Sequence, residues 1–422
     1  MFNRSNRPAA APGVALAIAL AAAASFTVAP LTLAAPDPFV LTAETTSGTP
    51  ATVTASGHSL PDLVSNLITT KSEFASFDGA AFRASLDYGG VRNALRFQQN
   101  AAGTSATVSI PSTGFSRTFT GSSESEVRDK IRDFLLKNGA KEYSRFLKTV
   151  NEQSLIGVTD GNPLAATAIL SNTSFYRFGL QRSPFDAGGT IYAAPEGGGL
   201  RFDFGGGYAN TDDGDGYFLG ASLGSVIRFN RNVGLSLATP FVYREVQGAQ
   251  VFTLGFEAAL PVVLTAPSLG RGVTWQLTPS FLSGASGSVD LAAGGTFLGG
   301  GLTNSIAVPF GDRATITIGN GIYFYEGYNL HIADYEWDTD LSQQVLKNGI
   351  KFTQALGPGA FADVSITHTA FLQDAATQTY LTPGAGIGVR FGKTSGLRVA
   401  YQGDFADGFN SHGGTLTLFF NY

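Results

Sequence analysis

From about residue 198 to the end of the chain, apolar and polar side chains alternate. GLRFDFGGGYA sets Leu200, Phe202, Phe204 and Tyr208 on one face and Arg201, Asp203, Gly205 and Gly207 on the other. GYFLGASLGSVIRF opposes Tyr217, Leu219, Ala221, Leu223 and Ile227 to Phe218, Gly220, Ser222, Gly224 and Arg228. VGLSLATPFVY and QVFTLGFEAALPVVL follow the same rule, with Val233, Leu235, Leu237, Phe241, Phe252, Leu254, Phe256 and Leu260 on the apolar side and Glu257 opposite. A period of two is the signature of an extended strand, because successive side chains leave a pleated backbone on opposite faces. The pattern returns in VTWQLTPSF, TFLGGGLTNSIAVPF, ATITIGNGIYFY, GIKFTQAL, FADVSITHTAF, YLTPGAGIGVRF, LRVAYQGDF and TLTLFFNY. That makes twelve candidate strands, of which GIKFTQAL and FADVSITHTAF are the least regular.

Half-buried strands of a soluble sandwich also alternate, so the connections decide between the two. In order they are NTDDGDG, NRN, REVQGAQ, TAPSLGRG, SGASGSVDLAAGG, GDR, EGYNLHIADYEWDTDLSQQ, GPG, QDAATQ, GKTSG and ADGFNSHG, long and short mostly taking turns. TAPSLGRG is too long for its place among the short ones. An all-β, antiparallel, up-and-down transmembrane barrel of about twelve strands is expected, with the longer loops at one end. The strands are long enough to cross a bilayer at a tilt, which takes roughly 9 to 11 residues. Aromatic residues at strand ends (Tyr208, Tyr217, Phe229, Phe310, Phe391, Phe405) would form interfacial girdles.

Upstream the texture differs. Residues 36–155 read as a small α+β soluble domain: LPDLVSNLITTK is an amphipathic helix candidate, and AAFRASLDYG, VRNALRFQQ, ATVSIP and SRTFTG are short strands. SSESEVRDKIRDFLLKNGA has a serine cap, acids in its first turn, Val127, Ile131, Phe134 and Leu135 at helical spacing, and Gly139 to end it. AKEYSRFLKTVNEQ repeats the arrangement with Tyr143, Phe146, Leu147 and Val150. Both stripes read as core-facing. Residues 156–197 are a linker or an insert into the barrel lumen, with a short helix around Leu164 to Asn172. At the N-terminus, Arg4 and Arg7 precede an Ala-rich apolar stretch, and no acid occurs before Asp37. Residues 1–35 therefore read as a secretory signal peptide cut after Ala34 or Ala35, with an uncleaved anchor as the rival reading.

Composition removes several function classes. Charged residues are only 14% and the net charge is −5 without any basic run, which excludes a nucleic-acid surface. There is no cysteine, so disulfides, thiol catalysis and cysteine-ligated metal are excluded. No cofactor is expected. The four histidines (His58, His331, His368, His412) stand in no G-x-S-x-G or H-E-x-x-H setting, so an enzyme is not expected. The acidic loops carrying Asp212, Asp213, Asp215 and Asp334, Glu336, Asp338, Asp340 lack EF-hand spacing and read as solvated.

The last strand ends on an aromatic residue, Tyr422, with Phe420, Leu418 and Leu416 at alternate positions behind it. It resembles the closing strand of Gram-negative outer-membrane β-barrels. That resemblance implies export to the outer membrane, contact with outer-membrane lipid, and recognition of Leu416, Leu418, Phe420 and Tyr422 by the barrel-insertion machinery. Arg201, Asp203, Arg228, Glu257, Lys351, Arg390, Arg398 and Asp404 then fall on the inward face as expected pore-lining residues, among many glycines that widen the lumen. The first expectation for function is a pore or transport channel for small solutes with a periplasmic N-terminal domain. The second is a translocator or anchor similar to the autotransporters, displaying that domain; the third is a structural barrel whose lumen is plugged.

Overall fold

The computed structural model describes residues 37, 39–59, 62–63, 65–66, 77, 79–89, 91–137, 142, 145–146, 148–150, 163–180 and, in the barrel, 198–421 apart from 212–213, 231, 247–248, 265–271, 289–292, 312, 329, 333–334, 338–341, 358, 374–376 and 392–394. The expected signal peptide, Tyr422 and most of LPDLVSNLITTK lie outside the described residues.

The N-terminal domain is a six-stranded antiparallel sheet of β1 (Phe39–Thr45), β2 (Thr52–Gly57), β3 (Phe82–Tyr88), β4 (Val91–Gln99), β5 (Ser105–Ile110) and β6 (Phe115–Thr120), in the spatial order β2-β1-β3-β4-β5-β6. Helix α1 (Glu124–Lys137) covers one face. Its Val127 and Phe134 bury themselves against Ala106, Val108 and Phe119, and the Phe134 ring stacks on Phe115 with centroids 5.5 Å apart. The start of α1 is fixed as its sequence predicts. Ser123 Oγ accepts from the Glu126 backbone N–H at 3.3 Å, while the Glu126 carboxylate reaches back to the Ser122 backbone N–H at 2.8 Å. Phe146 and Val150, from the second expected helix, close the other half of the core with Phe39, Tyr88 and Val91.

The second unit is a closed antiparallel barrel of twelve strands. They are β7 (Gly198–Thr211), β8 (Gly214–Arg228), β9 (Gly234–Val246), β10 (Ala249–Ala259), β12 (Thr274–Ser288), β13 (Ala293–Phe310), β14 (Ala314–Gly327), β17 (Ser342–Gly357), β18 (Ala360–Phe371), β19 (Thr379–Phe391), β20 (Ser395–Ala406) and β21 (Phe409–Asn421). A short β11 (Val262–Leu264) prolongs β10 along β12 beyond Pro261. Closure comes from β21, whose residues 409–421 pair antiparallel with 211–199 of β7. No sheet edge remains among the twelve, which is what a strand structure in lipid requires.

Every apolar face read from the sequence points outward. Leu219 is 57% exposed, Leu254 59%, Phe310 68% and Val364 55%, within a belt that encircles the molecule. A soluble monomer rarely exposes more than a few hundred Å² of continuous apolar surface, so this belt is a lipid-contacting one. The girdle candidates Tyr217, Phe229, Phe310, Phe391 and Phe405 are all exposed on it.

The loops depart from expectation. NTDDGDG, REVQGAQ and SGASGSVDLAAGG are largely strand: β7 runs to Thr211 and β8 starts at Gly214, β9 runs to Val246 and β10 starts at Ala249, and β12 runs to Ser288 and β13 starts at Ala293. Glycine, serine and aspartate disfavour strands locally, but their backbone groups pair once flanking residues fix the register. Among the described residues, the wider intervals between barrel strands at that end are the one from Gly327 to Ser342, which holds the hairpin β15 (Leu330–Ile332) and β16 (Tyr335–Trp337), and the one from Phe371 to Thr379. We call it the far end, and the end where β7 begins and β21 finishes the closing end.

Candidate functional site

The lumen is occupied. Helix α2 (Pro163–Phe175) and the π-turn that follows it (Tyr176–Leu180) lie inside the barrel, against β10, β12, β13, β14 and β17. The segment PLAATAILSNTSF carries no charge, and its one polar row, Thr167, Ser171 and Ser174, is fully buried, as in a helix enclosed on all sides. Leu170, Phe175 and Leu180 join Leu282, Phe297, Tyr323, Tyr325 and Val345 in one buried cluster. Glycines on the wall make the space: a Cβ on Gly319 would lie 2.8 Å from the Gly179 carbonyl oxygen. At Gly319, Gly321 and Gly349 the missing side chains make room for this segment.

Polar contacts fix its direction. Thr167 Oγ1 donates to Gln343 Oε1 at 2.8 Å, at the far end of β17. One turn on, Asn172 meets Lys347 and Tyr380. Lys347 is fully buried, and its ammonium also donates to Thr369 Oγ1 at 2.9 Å. Below that, Arg177 Nη1 donates to Glu257 Oε2 at 3.0 Å and Arg177 Nη2 stands 3.8 Å from Asp203. Tyr176 hydroxyl meets Arg398, which is clamped bidentate on Asp363 at 2.7 and 3.0 Å. Ser305 Oγ, toward the closing end of β13, donates to the Gly179 carbonyl at 2.8 Å. The chain thus descends from the far end toward the closing end. At the far end, the N-terminal core cluster includes Val251, near the start of β10, and α1 lies against β16. The N-terminal domain is seated there.

Of the pore-lining residues expected from the sequence, Glu257 and Arg398 bind the lumen segment directly. Asp203 receives Arg201, at 2.6 to 2.9 Å, and Thr417 at 2.7 Å, alongside Arg177. Lys351 is buried, 5.9 Å from the centre of the Tyr176 ring. Asp404 accepts from Thr382 at 2.6 Å and from Ser411 at 3.0 Å. Arg228 and Arg390 sit half-buried near the closing end, at the end of β8 and of β19. Leu416 and Phe420 face outward on β21, as an assembly signal read from outside the barrel would need; Leu418 pairs with Leu397 of β20 and Phe202 of β7.

Sequence reading missed Tyr176, Arg177, Lys347 and Asp363. Arg177 lies outside any strand, and Asp363 sits in one of the two irregular strands, where the inward face had not been traced. Among the described residues no group of three or more His, Cys, Asp or Glu could hold a metal ion.

Beside α2, a cavity of about 280 Å³ remains between Ala168, Asn172 and Tyr176 of the lumen segment and the wall formed by β7, β8, β9, β19, β20 and β21.

No protein-family model and no curated protein matches the sequence. Among solved structures, the chain is similar to the translocator domain of the autotransporter NalP from Neisseria meningitidis (15% identity, 61% of this chain and 97% of that one, TM-score 0.44). It is also similar to an outer membrane channel from Pseudomonas putida F1 (11% identity, 57% and 100%, TM-score 0.42). A third is the transport unit of the autotransporter AIDA-I from Escherichia coli (9% identity, 62% and 99%, TM-score 0.39).

Proposed function

We propose that the protein is an outer-membrane barrel that anchors and displays its own N-terminal domain, the chain having passed outward through the lumen with residues 163–180 left behind as a plug. The observation that supports it is the direction of α2. Its N-terminal half meets Gln343 at the far end, and the segment after it meets Glu257 and Ser305 toward the closing end. The wider intervals between strands lie at the far end, and outer-membrane barrels carry their longer loops outside, which supports taking the far end as the cell surface. The N-terminal domain then lies outside. This reading replaces the periplasmic domain and open solute channel expected first, and it takes up the display alternative together with the plugged lumen.

Protease accessibility on intact cells tests it. A specific protease site inserted between Ala101 and Ala102, in an exposed turn of the N-terminal domain, is expected to be cut from outside. The same site after Gly311, in a closing-end turn, is expected to be protected until the outer membrane is permeabilised. The reverse pattern overturns the assignment.

A further inference from the structure

The cavity beside α2 has two unlike ends. Strand register places Gly207, Phe218 and Gly413 in one row, with Arg244 opposite Phe218, and Tyr380, Asp404 and Phe409 nearer the far end. The Phe218 ring lies across two inward glycines: a Cβ on Gly207 would stand 2.6 Å from its Cζ, and one on Gly413 2.9 Å. Phe218, Tyr380 and Phe409 make this end aromatic. Four residues further along β7 and β21 comes the row of Asp203, Ser222 and Thr417, and here the lining turns charged, with Arg201, Asp203 and Arg398 beside the Tyr176 hydroxyl.

The charges at that second end do not cancel. Among the described residues there, Arg177, Arg201, Lys351 and Arg398 face Asp203, Glu257 and Asp363, four cations to three carboxylates. Away from bulk water such an excess is weakly screened. Arg201 retains 20% of its side-chain surface accessible although bound to Asp203, and it borders the cavity. The space is large enough for a small organic molecule, and a mostly apolar pocket with a few convergent polar groups is the usual form of a ligand site.

We infer that this chamber binds a small aromatic or alicyclic carboxylate, its ring against Phe218 and Tyr380 and its carboxylate toward Arg201. The inference needs α2 in the lumen but is independent of which membrane face carries the N-terminal domain.

The test uses the full chain in detergent and fluorine NMR line broadening of para-fluorobenzoate, with para-fluorobenzamidinium and para-fluorobenzyl alcohol as shape-matched cationic and neutral probes. The carboxylate alone is expected to broaden and to be displaced by unlabelled benzoate. Gly220→Leu fills the chamber from a wall position whose Cβ would have no neighbour closer than 3.7 Å; it is expected to abolish the broadening while the barrel keeps its heat-modifiable migration. Arg201→Gln is expected to weaken binding about tenfold, the loss of one charge-assisted contact. Absence of broadening with the wild-type protein, equal broadening by all three probes, or full binding by assembled Gly220→Leu each overturns the proposal. The three-probe comparison on wild type stands even where a variant fails to assemble.

Discussion

Replacing Arg177 with leucine removes the one cation that the lumen segment itself brings to the wall. Arg177 and Glu257 are 4% and 3% exposed and 3.0 Å apart, and Arg177 also reaches Ser222 at 3.4 Å. Deleting one partner of such a pair strands the other charge in a desolvated site, at a cost of about 3–5 kcal/mol. At about 1.4 kcal/mol per factor of ten, that is roughly two to three and a half powers of ten in the equilibrium between docked and undocked plug. The closed strand ladder contains neither guanidinium nor carboxylate contact, so the loss falls on docking of residues 163–180 and leaves the barrel standing. Replacing both members, Arg177→Leu with Glu257→Leu, removes the stranded charge and is expected to restore most of the docking, because an apolar pair of similar volume is often neutral or better. Planar-bilayer recording measures this directly: low conductance for wild type, frequent large openings for Arg177→Leu, and near-wild-type traces for the double variant. An Arg177→Leu barrel as quiet as wild type, or a double variant as leaky as the single, would refute the reasoning.

Other expectations follow from single contacts. A Cβ on Gly396 would lie 1.9 Å from Phe419 Cζ, so Gly396→Ala should lower stability by about 1–3 kcal/mol in urea titration, and Phe419→Ala should relieve it. Gly207→Ala should prevent assembly even with Phe218→Ala, because the new Cβ would lie 2.1 Å from the His412 carbonyl oxygen; a heat-modifiable band in the double variant would contradict this. The Glu126 carboxyl, held by Lys130 and then Ser122, titrates at about 2 instead of its ordinary 4.5. A folded-state pKa below the unfolded one stabilises above pH 4.5 and loses that contribution as pH falls toward 2, so the unfolding temperatures of the full-length wild type and Glu126→Gln should converge at low pH. Phe420→Ser should reduce barrel assembly in cells far more than refolding into vesicles; equal loss in both would show that the residue serves stability and not recognition.

The strands were legible because lipid outside and a lined lumen inside impose opposite demands on neighbouring residues, and that demand repeats at every second position from Leu200 to Phe420. Even the irregular FADVSITHTAF became β18 by pairing on both sides. Loop lengths were less legible, since the Gly and Ser residues of 283–288 advertise a turn locally while their amides pair with β13. The site was the least legible part. Arg177 and Glu257 are separated by 80 positions, and Tyr176 and Arg398 by 222, so no spacing rule links them. One sign was present: an uncharged helical stretch with Ala, Leu, Ser and Thr on every face has no surface to give to water and must be enclosed.

A six-stranded sheet is roughly 25 Å wide at the usual strand spacing, too broad to slip past the wall of a closed twelve-strand cylinder. On the proposed display, that domain, at one mouth with its tether running down to the other, crosses only as a thread and takes shape after emerging. The lack of any cysteine suits such a passage, for no covalent cross-link could lock the sheet early and strand it on the wrong side.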